Sequence, residues 1–124
     1  MLIVKYTPEH EWLEYNGEVV TVGITEHAAE QLGDVVFVEL PEEDTSVTKG
    51  DEVVVIESVK AAADILAPMD GVITEVNSLL EDEPELVSKD PLGQGWFFRM
   101  KPADPADLDQ YMDEAEYKAH IAGS

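Results

Sequence analysis

The sequence contains no cysteine, so its fold cannot depend on disulfide bonds and its encoded side chains supply no thiol chemistry. Basic residues are also scarce, because seven Lys and Arg stand against 28 Asp and Glu, which gives a formal net charge of −21. Such a chain repels the phosphate backbone of nucleic acids and anionic membrane surfaces, so we expect it to bind neither. The charge is compatible both with simple solubility and with steering toward partners that have basic docking faces.

Long apolar runs and targeting signals are missing as well. No segment approaches the roughly 20 apolar residues that a membrane helix needs. The N-terminal residues show neither the basic region and cleavage site of a secretory signal nor the Arg-rich composition of a transit peptide. We therefore expect a soluble cytoplasmic protein. His10, His27 and His120 stand far apart with no partner at metal-ligand spacing, so we predict no metal site.

Short strands separated by turn residues dominate what is present. Asn16-Gly17 is the strongest short hairpin signal, and the residues on either side predict a hairpin over 11–24. Further strands are predicted at 35–40, 52–59, 63–67, 72–76 and 96–100. The length of 124 residues fits one domain, 1–124, and the strand pattern favours a small β-sandwich or barrel over an α/β fold.

Helical signals are confined to two places. Thr25 can cap a short helix at Glu26–Leu32, which Gly33 would end.

Between the last two predicted strands the sequence predicts no regular element. Residues 79–86 are acidic, contain Pro84 and predict a loop.

The second helical signal lies near the C-terminus. Asp104 and Pro105 form a typical helix start, because Asp caps a helix and Pro fits its first turn. Apolar residues then recur at the spacing of one helix face, at Leu108, Tyr111, Met112 and Ala115. This spacing predicts an amphipathic helix packed on the β core.

Lys60 is the residue that stands out chemically. It lies between the predicted strands 52–59 and 63–67 among small neighbours, so a turn would present its amine to a modifying enzyme. Taken alone, the pattern favours the simpler interpretation that Lys60 is one of six solvated lysines, and it does not establish a prosthetic group.

The segment around this lysine resembles the lipoylation segment of glycine cleavage system H proteins. The likeness runs in the right order from about residue 5 to 121. The matching pieces are 57–62 (ESVKAA), 64–65, 67–68, Gly71, 6–12 (YTPEHEW), 22–25, Ala28, 32–38, 40–41, 84–87, 90–91 and 95–96. Departures from the usual family residues leave Lys60 and its immediate neighbours untouched. They are Asp44 for Gly, Ala63 for Ser, Leu66 for an aromatic residue, Asp70 for a small residue, Ser88 for Asn and Leu92 for Tyr.

The resemblance implies a mainly β, lipoyl-domain-like barrel-sandwich hybrid with a short internal helix and C-terminal helices. It implies that Lys60 carries lipoic acid in an amide bond, and that Glu11 and Asp64 line a cleft for the loaded arm. The lipoyl group would bring the disulfide that the sequence lacks.

The role implied is that of a non-catalytic, monomeric shuttle of the glycine cleavage system. It would take an aminomethyl group from the pyridoxal-phosphate glycine decarboxylase to the aminomethyltransferase, and electrons to dihydrolipoyl dehydrogenase. Lipoate-attaching enzymes would be further partners.

Four alternatives stay open. The same scaffold could relay lipoyl groups to other enzymes or serve another pathway. A biotinyl carrier fits less well, because such lysines typically lie between two methionines, whereas Lys60 lies between Val59 and Ala61. The chain could be an unmodified acidic β interaction module. It could also be a small enzyme using His10 and Glu11, although adjacent strand residues point to opposite faces.

Overall fold

The structure is a computed structural model that describes residues 2–122. Short strands and short helices alternate along it. The strands are β1 (Ile3–Tyr6), β2 (Glu11–Tyr15), β3 (Val20–Ile24), β4 (Val35–Glu39), β5 (Ser46–Val47), β6 (Glu52–Ser58), β7 (Ala62–Leu66), β8 (Gly71–Val76) and β9 (Phe98–Pro102). The α-helices are α1 (Glu26–Leu32), α2 (Leu79–Asp82), α3 (Leu86–Lys89) and α4 (Glu114–Ala122), with a 3₁₀ helix at Pro105–Gln110.

The strands form two antiparallel sheets. The larger sheet has the order β1-β2-β3-β9-β8-β5, and the smaller one has the order β4-β6-β7. Both sheets contribute to one cluster of buried side chains, which includes Leu13, Val22, Ile56, Ile73 and Phe98, all fully buried. The predicted mainly β architecture is confirmed.

The local signals read from the sequence form the elements they predict. β2 and β3 pair across the Asn16-Gly17 turn, where Gly17 has a φ of 99° and the Asn16 side chain accepts hydrogen bonds from the turn backbone. Helix α1 has the predicted bounds. The Thr25 hydroxyl accepts from the Ala28 N–H at 3.3 Å, and Gly33 ends the helix with a φ of 75°.

Residues 79–86 are not the predicted loop. They contain α2 and the first residue of α3, and each of these helices is a single turn anchored by one fully buried side chain, Leu80 in α2 and Val87 in α3. The acidic residues lie on the solvent side of these turns. The acidic composition therefore favoured a loop and gave no indication of the two buried apolar side chains. Among residues 2–122, no helix is long and apolar enough to cross a membrane.

The predicted amphipathic C-terminal helix is wrong as a single element. The 3₁₀ helix ends at Gln110, Tyr111 is extended, and α4 begins at Glu114. The backbone of Met112 exchanges two hydrogen bonds with Tyr6, at 2.8 and 3.0 Å, which requires an extended chain at this point. A tertiary strand contact therefore overrides the helical spacing.

Candidate functional site

Lys60 lies at the tip of the hairpin that joins β6 to β7. The last pair of this hairpin is Glu57 with Ala62, and Ser58 then organises the turn. The Ser58 hydroxyl accepts from the backbone N–H groups of Lys60 and Ala61 at 3.2 and 3.0 Å and donates to the Ala61 carbonyl at 2.9 Å. The turn is therefore held by backbone and hydroxyl groups, and the Lys60 side chain plays no part in closing it.

The Lys60 side chain is exposed and runs past the end of α1. A methyl group placed on Gly33 would lie 3.2 Å from Cε and 3.3 Å from Cδ of Lys60, so the alkyl stem rests against this glycine. Within residues 2–122 the amine takes part in no ion pair or side-chain hydrogen bond. The alkyl stem of Lys60 therefore packs against Gly33, while its amine is exposed.

The loop that supports this stem is itself fixed by hydrogen bonds. Ser88 in α3 donates to the Gly33 carbonyl at 2.8 Å and accepts from the Val35 N–H at 2.9 Å. The Asp34 carbonyl in turn accepts from the Val59 N–H at 3.0 Å. Sequence reasoning identified Gly33 as a helix end and as part of the matching piece 32–38, and Ser88 as a departure from the family pattern. It predicted neither supporting contact, because neither is local in sequence.

Glu11 and Asp64, the two acids singled out from the sequence, border the same cleft of about 190 Å³. Its walls also include apolar side chains of β3, α1 and β7, namely Ile24, Ala28 and Ile65. Asp64 is exposed at the rim, whereas Glu11 is only 4% exposed. The cleft therefore combines one surface carboxylate with one buried carboxyl group. We refer to it as the acidic cleft.

Burial raises the pKa of Glu11 to about 7. The Thr7 hydroxyl donates to Glu11 Oε1 at 3.3 Å, and this bond and one from the Leu66 backbone partly offset the effect of burial on the pKa. Both the protonated and the ionised forms of Glu11 are therefore populated near neutral pH, and a cation entering the cleft would favour the carboxylate form.

The three histidines are not scattered in space. The His10 ring lies 4.5 Å from that of His27 and 5.8 Å from that of His120, between centroids. Within residues 2–122, however, no group of His, Asp and Glu side chains has an arrangement that could hold a metal ion. Sequence distance misled here, because α1 and α4 both pack near the start of β2.

His10 and Glu11 are adjacent in sequence, and their side chains have different hydrogen-bond partners, Tyr117 for His10 and Thr7 for Glu11. His10 precedes β2 with a φ of 70°, outside the regular strand alternation, and both residues border the acidic cleft. His10 Nδ1 lies 2.9 Å from the Tyr117 hydroxyl, and burial lowers the pKa of His10, with His27 and His120 acting in the same direction. The contact ties His10 to α4.

The sequence is similar to one family of known proteins over nearly its whole length. Residues 4–123 match the family model described as Glycine cleavage H-protein. The glycine cleavage system H protein of Thermotoga maritima is 53% identical over 122 residues, covering 98% of both chains. That of Phenylobacterium zucineum is 51% identical over 121 residues, covering 98% of this chain and 100% of the relative.

A solved structure agrees with the fold. The crystal structure of a glycine cleavage system H protein from Mycobacterium marinum superimposes with a TM-score of 0.86 at 36% identity, covering 96% of each chain. The predicted lipoyl-domain-like barrel-sandwich fold is thereby confirmed.

Proposed function

Because the chain belongs to the glycine cleavage system H protein family, we propose that it is a lipoyl carrier whose working residue is Lys60. Family membership indicates the lipoyl shuttle role in glycine cleavage. The observation that supports Lys60 is its position at a hairpin tip, with a guided stem and an amine available for modification.

The residues present fit a covalent lipoyl group. The amine of Lys60 would form the amide bond, and the small neighbours Ala61 and Ala62 leave room for an enzyme to reach it. When bound, the lipoyl group supplies a disulfide that accepts an electron pair together with a carried group, which no side chain of this cysteine-free chain can do. The chain itself contributes placement, so we propose that it is a non-catalytic component.

The acidic cleft suits a carried aminomethyl group, whose amine is cationic. The carboxylate of Asp64 lies at the rim and that of Glu11 lies deeper, so together they could hold the amine by charge-assisted hydrogen bonds. The apolar walls would limit the access of water to the carried group. We propose this protective role for Glu11 and Asp64.

The individual transfers belong to the same proposal. The carrier takes the aminomethyl group from glycine decarboxylase to the aminomethyltransferase, passes electrons to dihydrolipoyl dehydrogenase, and receives its lipoyl group from a lipoate-attaching enzyme. We further propose a cytoplasmic monomer made of a single carrier domain, 1–124.

Intact mass spectrometry tests the attachment site. After expression with a lipoate ligase and lipoate, the chain should gain the mass of one lipoyl group, and Lys60→Arg should abolish the gain without changing the melting temperature, because an exposed turn lysine carries little packing. Lys89→Arg, which alters another exposed lysine, should be modified normally. Modification that persists in Lys60→Arg would contradict the assignment, and a complete lack of modification would favour an unmodified interaction module.

Glycine-dependent loading separates the shuttle from a lipoyl relay. The lipoylated chain, mixed with glycine decarboxylase and labelled glycine, should acquire label that the aminomethyltransferase then removes. A chain that is lipoylated but takes no label, and instead donates lipoyl groups to other enzymes, would support the relay alternative.

The protective role of the cleft has its own test. Glu11→Gln and Asp64→Asn should each release the carried aminomethyl group to water several-fold faster than the unsubstituted chain, because each loses a charged partner of the amine. Glu18→Gln, at the exposed β2–β3 turn, is the matched control and should leave the release rate unchanged. Unchanged release in both cleft variants would refute the role.

A further inference from the structure

The outer face of the three-stranded sheet lies directly beside Lys60. Side chains alternate along these strands, so Val38 and Ile56 point into the core, whereas their neighbours Phe37 and Glu57, which pair with each other, are exposed. The outward set is Phe37 and Glu39 from β4, Val55, Glu57 and the adjoining Val59 from the β6 side, and Ala62 and Asp64 from β7. We refer to these seven residues as the Lys60 sheet face.

Two apolar side chains on this face are largely exposed to solvent. Phe37 is 47% exposed and Val59 is 66% exposed. A register shift between Val35 and Phe37 marks a bulge in β4, which also leaves Val36 exposed. Single exposed apolar residues are ordinary, but bulges re-aim side chains, and here an aromatic and a valine lie on one face beside the reactive lysine.

The charge of the face defines what could bind it. Glu39 and Glu57 are exposed, and Lys60 is the only basic residue in segments 35–39 and 52–66. A complementary surface would have an apolar centre bordered by Lys or Arg side chains. Acylation of Lys60 would remove the one positive charge, so the face differs before and after modification.

A lipoyl-attaching enzyme acts on Lys60 before any arm is present. It must choose Lys60 among six lysines and bring an activated acyl group to its Nζ atom, so it has to contact the surface around this residue. Within the turn only Val59 exposes a sizeable apolar side chain, since Ala61 and Ala62 follow Lys60. The discriminating surface therefore has to extend beyond the turn, to where Phe37 is exposed.

We propose that the Lys60 sheet face is the docking surface for the lipoyl-attaching enzyme, with Phe37 as its apolar anchor; this rests on the proposed function of Lys60. The enzyme contacts Phe37 and Val59 with an apolar surface and places basic side chains opposite Glu39. Docking in this way sets the direction from which the acyl group reaches the amine.

Steady-state lipoylation of the unmodified chain tests the proposal. With a lipoate ligase, ATP and lipoate, Phe37→Ser should raise the KM for the chain about tenfold and leave kcat within about twofold, because anchor residues act on binding. Val72→Ser is the matched control, since Val72 is 37% exposed on β8 of the other sheet. Direct binding of ligase to the chain without ATP should weaken by the same factor.

The charge component is tested separately. Glu39→Lys should raise the KM, and added salt should reduce the difference between this variant and the unsubstituted chain. Glu18→Lys, which makes the same change at the β2–β3 turn, should leave the KM unchanged.

The outcomes separate this inference from the proposed function. An unsubstituted chain that is never modified at Lys60 defeats the proposed function itself. A chain modified normally, with Phe37→Ser showing an unchanged KM, overturns the docking surface alone, as does a defect confined to loading by glycine decarboxylase. Thermal unfolding verifies that Phe37→Ser is folded, and if it is not, Val59→Ser in the exposed turn carries the same expectation.

Discussion

At the scale of single residues, Gly33 is the position that most directly limits the course of the Lys60 side chain. An alanine there would adopt a φ of 75° and would place its methyl group 3.2 Å from the Lys60 stem. We expect Gly33→Ala to cost about 1–3 kcal/mol of stability, because its φ of 75° with a ψ of −149° is a conformation that essentially only glycine adopts, and also to slow lipoylation by displacing the stem.

Gly50 provides a matched control for this prediction. Its φ of 92° is also one that L side chains rarely adopt, so an alanine there is strained as well, but its methyl group would meet open space. Gly50→Ala should therefore lose stability in urea unfolding and still be lipoylated at the normal rate. Equal lipoylation rates in the two variants would show that the contact between Gly33 and Lys60 has no consequence.

Glu11 makes a prediction about pH. Its pKa rises from 4.5 to about 7 on folding, so the folded state holds the proton more tightly. The stabilisation from this proton is complete below pH 4.5 and is lost as the pH rises through 7, a difference of about 3 kcal/mol. Glu11→Gln has no proton to lose, so we expect the variant to gain stability relative to the unsubstituted chain between pH 5 and 8.

Urea unfolding at several pH values measures this difference. Glu18→Gln, which changes an exposed acid, should track the unsubstituted chain at every pH. Parallel curves for Glu11→Gln and the unsubstituted chain would mean that Glu11 ionises without a burial penalty.

At the scale of elements, local signals were sufficient where local contacts decide the structure. The β2–β3 hairpin follows from Asn16-Gly17, and α1 has the bounds set by its Thr25 cap and Gly33 end. The strands that were predicted have edges within about two residues of the predicted bounds, whereas β1 and β5 were not predicted. The hairpin and α1 depend on hydrogen bonds between residues close in sequence, which is why their local signals were sufficient.

The elements that were mispredicted depend on distant partners. Met112 is extended because it pairs with Tyr6, and the α2 turn is held by the buried Leu80. His10, His27 and His120 meet only once α1 and α4 have packed. No spacing rule within one segment contains this information, so the site's supporting contacts, including those of Ser88, were out of reach of sequence reasoning.

Helix α4 is attached to the β core mainly through Tyr117. Its ring stacks on Tyr6 with centroids 4.7 Å apart, and its hydroxyl lies 2.9 Å from His10 Nδ1 and 2.7 Å from the Thr25 hydroxyl. Tyr117→Phe keeps the stacking but leaves the buried Thr25 hydroxyl and His10 without this partner. We expect a loss of about 1–3 kcal/mol in urea unfolding and faster proteolysis within α4.

Tyr15→Phe is the control for this prediction, because Tyr15 is also partly buried against the core but its hydroxyl has no hydrogen bond within residues 2–122. It should lose little stability. A Tyr117→Phe variant as stable as Tyr15→Phe would mean that stacking alone holds α4.

At the scale of the whole molecule, the sequence identified the carrier through resemblance rather than through physics. Physical reasoning alone left Lys60 as one exposed lysine among six, and ordered matches along the chain raised it above the others. Composition, in contrast, was informative without any relative. The net charge of −21 argues against binding to nucleic acids, and the absence of cysteine removes disulfide and thiol chemistry of the encoded side chains. The charge also has a measurable consequence for the stability of the protein.

That consequence is a dependence of stability on salt. Within residues 2–122 only two ion pairs form, Arg99 with Glu75 and Lys118 with Glu114, so most carboxylates repel one another across the surface. The Debye length falls from about 30 Å at 0.01 M salt to about 10 Å at 0.1 M, which screens this repulsion. Since unfolding separates the charges, we expect the melting temperature to rise by several degrees between about 0.01 and 0.5 M NaCl.

A partly neutralised chain distinguishes repulsion from other effects of salt. A variant with four exposed acids converted to amides, at Glu42, Glu43, Glu81 and Asp82, keeps the core and both ion pairs intact. Its melting temperature should be higher than that of the unsubstituted chain at low salt and should rise less steeply as NaCl is added. Equal slopes would attribute the salt effect to burial of apolar surface instead of to charge, because that effect does not depend on the four carboxylates.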